Sequence, residues 1–263
     1  MSVIQSPVAP RRLKQPRIAE IVADGLRQRI LSGELKDSDI LPKQEDLMAE
    51  FGVSPPCIRE AFRILETEGL VTVLRGNVGG AVVHVPQPLT AAYMMGLVLE
   101  SRRTTLFDLM NAMRILEPVC AATCAERPDR HTTVLPMLRK VLDEGIAAID
   151  DPHAFIGLAR QFHTVLAANC GNETMSLVIG SLEVLWSAQV DTLARGASQH
   201  GSFAERGVRQ SLADEHERIY RLIAEGDARG AEQAIRDHYS AAAGERKHGF
   251  DIQAPISAAR LKA

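Results

Sequence analysis

Residues Pro42–Val83 read PKQEDLMAEFGVSPPCIREAFRILETEGLVTVLRGNVGGAVV, and the spacing of apolar side chains within them decides the fold of the N-terminal third of the chain. Leu41-Pro42 opens a short helix, since proline's fixed φ suits a first turn, and Leu47, Met48 and Phe51 fall on its inner side. Gly52 supplies a tight turn. Ser54 has the side chain of an N-cap and Pro55 follows at the first helical position, which predicts a helix running to about Glu68 with Ile58, Phe62 and Leu65 inward. Leu70–Leu74 and Ala81–Val85 are β-prone runs on either side of a tip containing Gly76 and Gly79, so they read as a hairpin. Two helices joined by a tight turn and followed by a hairpin form a winged helix-turn-helix. Upstream, Ile18, Ile21, Val22, Leu26 and Ile30 mark one face of a first helix over Arg17–Leu31, with Gly33 placed to end it.

The chain is 263 residues long, enough for two domains. With 46% hydrophobic residues and only one Trp, three Tyr and seven Phe, it reads as a globular protein built from aliphatic helices. The sequence contains no apolar run long enough to span a bilayer, and charges and prolines stand where a signal peptide would be apolar, so a cytoplasmic location without a membrane partner is expected. The four cysteines form no C-x-x-C pair. Cys120 and Cys124 read as small core residues of an alanine-rich helix.

Charge gives little guidance. The net charge is −3, and bulk electrostatics does not argue for nucleic acid. Arg11, Arg12, Lys14 and Arg17 form a local exception. Such a basic tail, placed at residues 1–16, either tracks phosphates or is simply solvated. The winged domain is placed at 17–85 and a linker at 86–90, where Pro86-Gln87-Pro88 suits neither a strand nor an easy helix start. Helical periodicities follow at about 91–102, 105–126, 132–149, 152–169, 173–195, 208–225 and 228–245, with Pro118 expected to kink the second. They predict a mainly α fold: an all-helical antiparallel bundle over 91–246, followed by a loose tail over 247–263.

Three constellations carry candidate chemistry. Arg59 and Arg63 lie four apart on the outer side of the third helix, beside Ser54, Pro55 and Pro56, and Arg75 and Gly76 sit at the hairpin tip. By themselves the arginines read as surface side chains paired with Glu60 or Glu66; within a winged helix-turn-helix they read as DNA contacts, to base or phosphate. His163, His216 and His238 each fall on the apolar stripe of a different helix, whereas His84, His131, His153, His200 and His248 fall in loops, near helix ends or beside the linker. Inward histidines are hydrogen-bonded core residues or, when three converge, metal ligands, and both readings stand. Arg114 and Glu117 lie one turn apart. They form either an ion pair along the helix or a site in which Arg114 points into the bundle and clamps a carboxylate effector.

The motifs resemble a known family. Leu41-Pro42, Phe51-Gly52-Val53-Ser54, Ile58-Arg59-Glu60-Ala61 and Leu65-Glu66-Thr67-Glu68-Gly69-Leu70 are similar to the winged helix-turn-helix of GntR-type bacterial regulators. The pattern Arg114-x-x-Glu117-Pro118, Phe162-His163, Gly171-Asn172, Glu215-His216, Gly226-Asp227 and Asp237-His238 resembles the helical effector domain of the FadR subfamily, the FCD type. The resemblance spans about residues 17–245. It implies a homodimeric transcription factor that binds a double-stranded DNA operator and changes its affinity when a small metabolite, often an organic acid, enters the C-terminal domain. It also implies a divalent metal, zinc or nickel, on three histidines matched by His163, His216 and His238 and on an acid one turn before the first. Here that position is Ala159, leaving three protein ligands from this set. Pro55-Pro56 and Glu45 likewise stand where relatives carry polar or arginine contacts to DNA.

The expected function is therefore that of an effector-controlled DNA-binding regulator and not an enzyme. A repressor is expected rather than an activator, since blocking a promoter requires only binding. The competing readings are a metal-dependent enzyme using the three histidines and a metal-sensing regulator with no organic effector. The enzyme reading lacks an inward general base and leaves residues 17–85 unexplained.

Overall fold

The computed structural model describes residues 18–74, 80–198, 205–242 and 251–262. The basic tail and the hairpin tip with Arg75 and Gly76 lie outside the described residues. Contacts divide the chain into two units, Met1–Pro86 and Gln87–Ala263.

The first unit orders α1 (Ile18–Leu31), α2 (Gln44–Phe51), α3 (Pro55–Thr67), β1 (Val71–Val73) and β2 (Ala81–Val83). α1 packs on α3, and Leu26, Ile30, Leu47, Ile58 and Leu65 close a core that excludes water almost completely. The strands pair antiparallel with Val71 opposite Val83 and Val73 opposite Ala81. The turn between α2 and α3 depends on Gly52, whose φ of 64° lies in the left-handed region that glycine enters without a Cβ penalty, and whose N–H donates to the Met48 carbonyl. Ser54 occupies the N-cap position of α3 in extended backbone, yet its side chain makes no capping bond. The start of α3 is held instead by Pro55 at the first position and by Gln44 Nε2, which donates to the Pro55 carbonyl at 3.0 Å.

The second unit is a bundle of α4 (Pro88–Ser101), α5 (Leu106–Glu126), α6 (Val134–Ala147), α7 (Pro152–Ala168), α8 (Glu173–Ser198), α9 (Arg206–Glu225) and α10 (Ala228–Ala242), with a short 3₁₀ turn at Ala258–Lys262. α4 begins inside the segment expected to be a linker. Pro88 takes a first-turn position, where its missing N–H has no helical partner to lose, and Gln87 before it is extended. α5 lies against α10, α8 and α9 and continues through Pro118. α7 starts where the Asp151 side chain accepts from the N–H groups of His153 and Ala154.

The expected loose tail is corrected by the described residues 251–262, which belong to the core. The N–H groups of Leu106 and Phe107, orphans of the first turn of α5, donate to the carbonyls of Ala254 and Ile252 at 3.1 and 2.8 Å. Gln189 and Ser257 exchange two hydrogen bonds, and Ala258 N–H donates to Glu100 Oε2 at 2.7 Å. Ile256 and Ala258 are each 1% exposed. The segment shows no α-helical period because it consists of turns and a short 3₁₀ stretch, anchored by bonds to other helices. Ile256→Ala should therefore cost about 2–5 kcal/mol in a urea titration followed by circular dichroism, as truncation of a packed core residue does. A cost below about 0.5 kcal/mol, typical of a surface change, would place the segment outside the core.

Candidate metal centre and nucleic-acid interface

α3 buries Ile58, Ala61, Phe62 and Leu65, and the same helical period turns Arg59, Glu60 and Arg63 outward. Ser54 and Pro56 are exposed and Pro55 is half-buried at the helix start. Arg27 is engaged by Glu68 and Asp24, and Arg29 by Glu34 and Glu50. Among the described residues the Arg63 guanidinium pairs with its neighbour Glu60, at 3.2 Å and exposed, and such a pair is easily exchanged for another anion. Arg59 makes no ion pair among the described residues and projects from the outer face of α3. An exposed guanidinium on the first turns of such a helix can fork onto a guanine edge or hold a phosphate.

The histidines converge. Gly226, with φ of 76°, ends α9, and His216 lies ten residues before it and His238 twelve after it. The antiparallel return of α10 therefore sets these two side by side, and α7 brings His163 against both. The three ring centroids form a nearly equilateral triangle with sides of 5.0, 5.0 and 4.9 Å. Each residue is buried, at 7, 3 and 7% exposure for His163, His216 and His238.

The outer nitrogens are held by carboxylates. His163 Nδ1 lies 2.5 Å from Glu117 Oε1, and His238 Nδ1 lies 2.9 Å from Glu215 Oε2. Those bonds leave Nε2 as the nitrogen each ring can offer to a cation, which on His163 requires loss of its second proton. Nε2 of His163 and Nε2 of His216 are 3.2 Å apart, close to the roughly 3.3 Å that separates two nitrogens on one tetrahedral zinc. One donor atom from each histidine lies within 4.8 Å of the others. A divalent cation thus fits this donor set, with His163, His216 and His238 as ligands and Glu117 and Glu215 as orienting carboxylates. Ala159 sits beside the histidines, buried and without a donor.

Arg114 and Glu117 do not act together as either sequence reading expected. α5 turns Met110, Met113, Glu117, Cys120 and Cys124 inward, while Arg114 is exposed. Glu117 is fully buried, bonded to His163 and to the Tyr239 hydroxyl. A guanidinium does sit one turn before His163: Arg160 pairs with Asp191 at 2.5 Å, and its other terminal nitrogen, Nη1, is buried without a hydrogen-bond partner among the described residues. Sequence reasoning missed Glu117 as a partner of His163, quoted Glu215 only as part of a motif, and gave Glu183 and Tyr239 no role. The signal was there for Glu117, which interrupts an otherwise apolar inward stripe of α5.

Burial opposes charge on His163, but the Glu117 carboxylate outweighs it and raises the imidazole to about 9. On Glu117 burial favours the neutral acid, and the charge and hydrogen bond of His163 reverse this and lower its pKa. Burial, helped by the charge of Glu117, raises Glu183 to about 8. Burial and the neighbouring imidazoles push His216 well below its usual range, and burial also lowers His238 despite Glu215. Burial drives the Cys124 thiol up to about 12 and raises Cys120 as well, consistent with core residues and not with thiolate ligands.

The metal-free protein therefore holds a charged His163–Glu117 pair. For His163 the folded value lies above the ordinary 6.5, so its contribution is complete below about pH 6.5 and is lost as pH rises through about 9. NMR titration of the chelated protein should show the His163 ring changing near pH 9, and Glu117→Gln should move that midpoint down by more than one unit. An unchanged midpoint in the variant would remove Glu117 as the cause.

Comparison with known proteins agrees with both halves. Residues 18–82 match the pattern described as bacterial regulatory proteins, gntR family, and residues 108–241 match the FCD domain. The HTH-type transcriptional regulator LutR of Bacillus subtilis is 28% identical over 215 residues, which cover 80% of this chain and 92% of that protein. The HTH-type transcriptional repressor NanR of Klebsiella aerogenes is 27% identical over 232 residues, 87% of this chain and 85% of NanR. The solved structure of a Streptococcus agalactiae GntR protein superposes with a TM-score of 0.62 at 23% identity, covering 85% of this chain and 98% of that one, and so shares the fold. These families and relatives are transcriptional regulators and not enzymes, and no helix among the described residues is long and apolar enough to cross a membrane. The chain belongs to the FCD-domain members of the gntR family of bacterial regulators, DNA-binding transcription factors controlled by a small metabolite.

Proposed function

We propose that this regulator is a cytoplasmic homodimeric repressor whose operator affinity is set by an organic acid bound beside a divalent metal, zinc or nickel, on His163, His216 and His238. The observation that carries the metal reading is the triangle of buried imidazoles whose Nδ1 atoms on His163 and His238 are held by carboxylates. With three protein nitrogens, a cation retains positions for water or for an oxygen of an anionic ligand, and its charge supplies the attraction for a carboxylate. The protein's own part is to orient the rings through Glu117 and Glu215 and to keep the site dry. Arg160, whose buried Nη1 has no hydrogen-bond partner among the described residues, is the guanidinium proposed to meet the carboxylate in place of the exposed Arg114.

On the DNA side, Arg59 and Arg63 on α3 are assigned to the operator, with Ser54, Pro55 and Pro56 shaping the approach of the helix start. Arg75 and Gly76 at the wing tip are proposed as further contacts. A domain with so few cations gains from pairing on two half-sites, because the second module then binds at the effective concentration set by the first.

In gel-shift titrations with the DNA upstream of its own gene, the shift should follow the square of protein concentration below the dimer threshold. Arg59→Ala should weaken it by roughly 10–100-fold, the range of one bidentate base contact. A shift that is first-order in protein and indifferent to Arg59 would contradict the assignment. Elemental analysis of protein purified under metal-replete conditions should find about one ion per chain and near none in His216→Ala; equal content in both would place the metal elsewhere.

A further inference from the structure

The first turn of α3 lacks the donors by which a helix start ordinarily grips phosphate. The N–H groups of a helix's first three residues have no partner within it and point at whatever lies before its end. In α3 the first two of these residues are Pro55 and Pro56, which carry no N–H, and the third, Cys57, donates to the Ser54 carbonyl at 3.0 Å. The turn is also rigid. Each proline ring fixes its own φ, and Gln44 Nε2 holds the Pro55 carbonyl at 3.0 Å. What the turn presents is hydrocarbon: Pro56 is exposed, one helical turn before the exposed Arg59 and Glu60, while Ile58, Ala61 and Phe62 take the buried side.

Side chains three apart on a helix stand about 5–6 Å from one another at Cβ, between one and two of the roughly 3.4 Å steps of a DNA duplex. With the outer face of α3 in the major groove, Pro56 and Arg59 therefore meet neighbouring base pairs. A pyrrolidine ring neither donates nor accepts a hydrogen bond. Set against the amino groups of adenine or cytosine, or the acceptors of guanine, it would strip them of water and return no partner. The apolar group displayed in that groove is the 5-methyl of thymine. We propose that Pro56 is a specificity-determining residue of the DNA-reading face, and that its ring seats on a thymine methyl within two base pairs of the contact made by Arg59. This rests on the assignment of Arg59 to the operator and adds to it a base preference set by hydrocarbon contact.

The probes are duplexes selected by the full-length protein from a random pool, with each thymine replaced in turn by uracil. That change removes the methyl group and leaves the hydrogen-bonding edge of the base as it was. One thymine in each half-site should respond, with uracil there weakening binding by about 3–4-fold, the effect of withdrawing one buried carbon from contact. In Pro56→Ser the ratio between thymine and uracil duplexes should fall to near one. Serine suits the first turn of a helix and position 56 is exposed, so the variant should keep the circular dichroism of the parent. A scan in which no thymine costs as much as about 2-fold, or a uracil penalty that persists in Pro56→Ser, overturns this inference and leaves the Arg59 assignment standing. Binding to the selected duplex that Arg59→Ala does not weaken overturns the assignment of this face to DNA and the inference with it.

Discussion

The bond between Glu117 and His163 is the constraint around which the bundle's interior is arranged. A fully buried carboxylate is costly unless a charge or several donors compensate it, and here both the His163 ring and the Tyr239 hydroxyl do so. That requirement fixes the rotation of α5 against α7 and α10, because Glu117, His163 and Tyr239 must meet at one point. It also fixes which nitrogen of His163 faces His216 and His238. Three imidazoles within 5 Å of one another are mutually unfavourable when protonated, so His216 and His238 are held neutral and ready to donate electron pairs. The same geometry that satisfies one buried acid thus leaves a set of donors suited to a cation.

The two units solve different problems with the same helical period. In the first, burial of Ile58, Phe62 and Leu65 is sufficient to force Arg59 and Arg63 outward, and the surface that results is sparse in charge. Its cations at Arg27 and Arg29 are spent on neighbouring acids. In the second, buried polar side chains cluster where they satisfy one another, as Glu117, His163 and Tyr239 do. Ligand control of such a protein requires a difference in affinity between its DNA-bound and free forms. A network of hydrogen-bonded buried side chains gives a ligand something to alter.

Much of this was legible in the chain. The order and extent of the helices, the hairpin and the inward placement of the three histidines follow from apolar spacing, Pro55 and the glycines at 52 and 226, because these are local rules of backbone and burial. Three expectations failed. Arg114 was read as either an ion-pair partner of Glu117 or an inward clamp, but one position of helical phase separates it from the buried stripe of α5, and the partner that draws Glu117 inward is His163, 46 residues away. Pro88 was read as a linker residue although it fits a first helical turn. Residues 251–262 have no period of their own and gain their structure from the orphan N–H groups of α5 and from Gln189.

The sequence by itself determined the two-unit plan, the class of DNA-reading module and the candidate ligands His163, His216 and His238, since each is set by residue type and spacing along one element. Only the tertiary structure decided that Glu117 and Glu215 orient those histidines, and that Arg160 on α7 is half-buried whereas Arg114 on α5 is exposed. The physical reason is that hydrogen bonds between side chains and the space between helices are properties of pairs and triples of elements. Their partners lie tens of residues apart, and no pattern within a single helix records them.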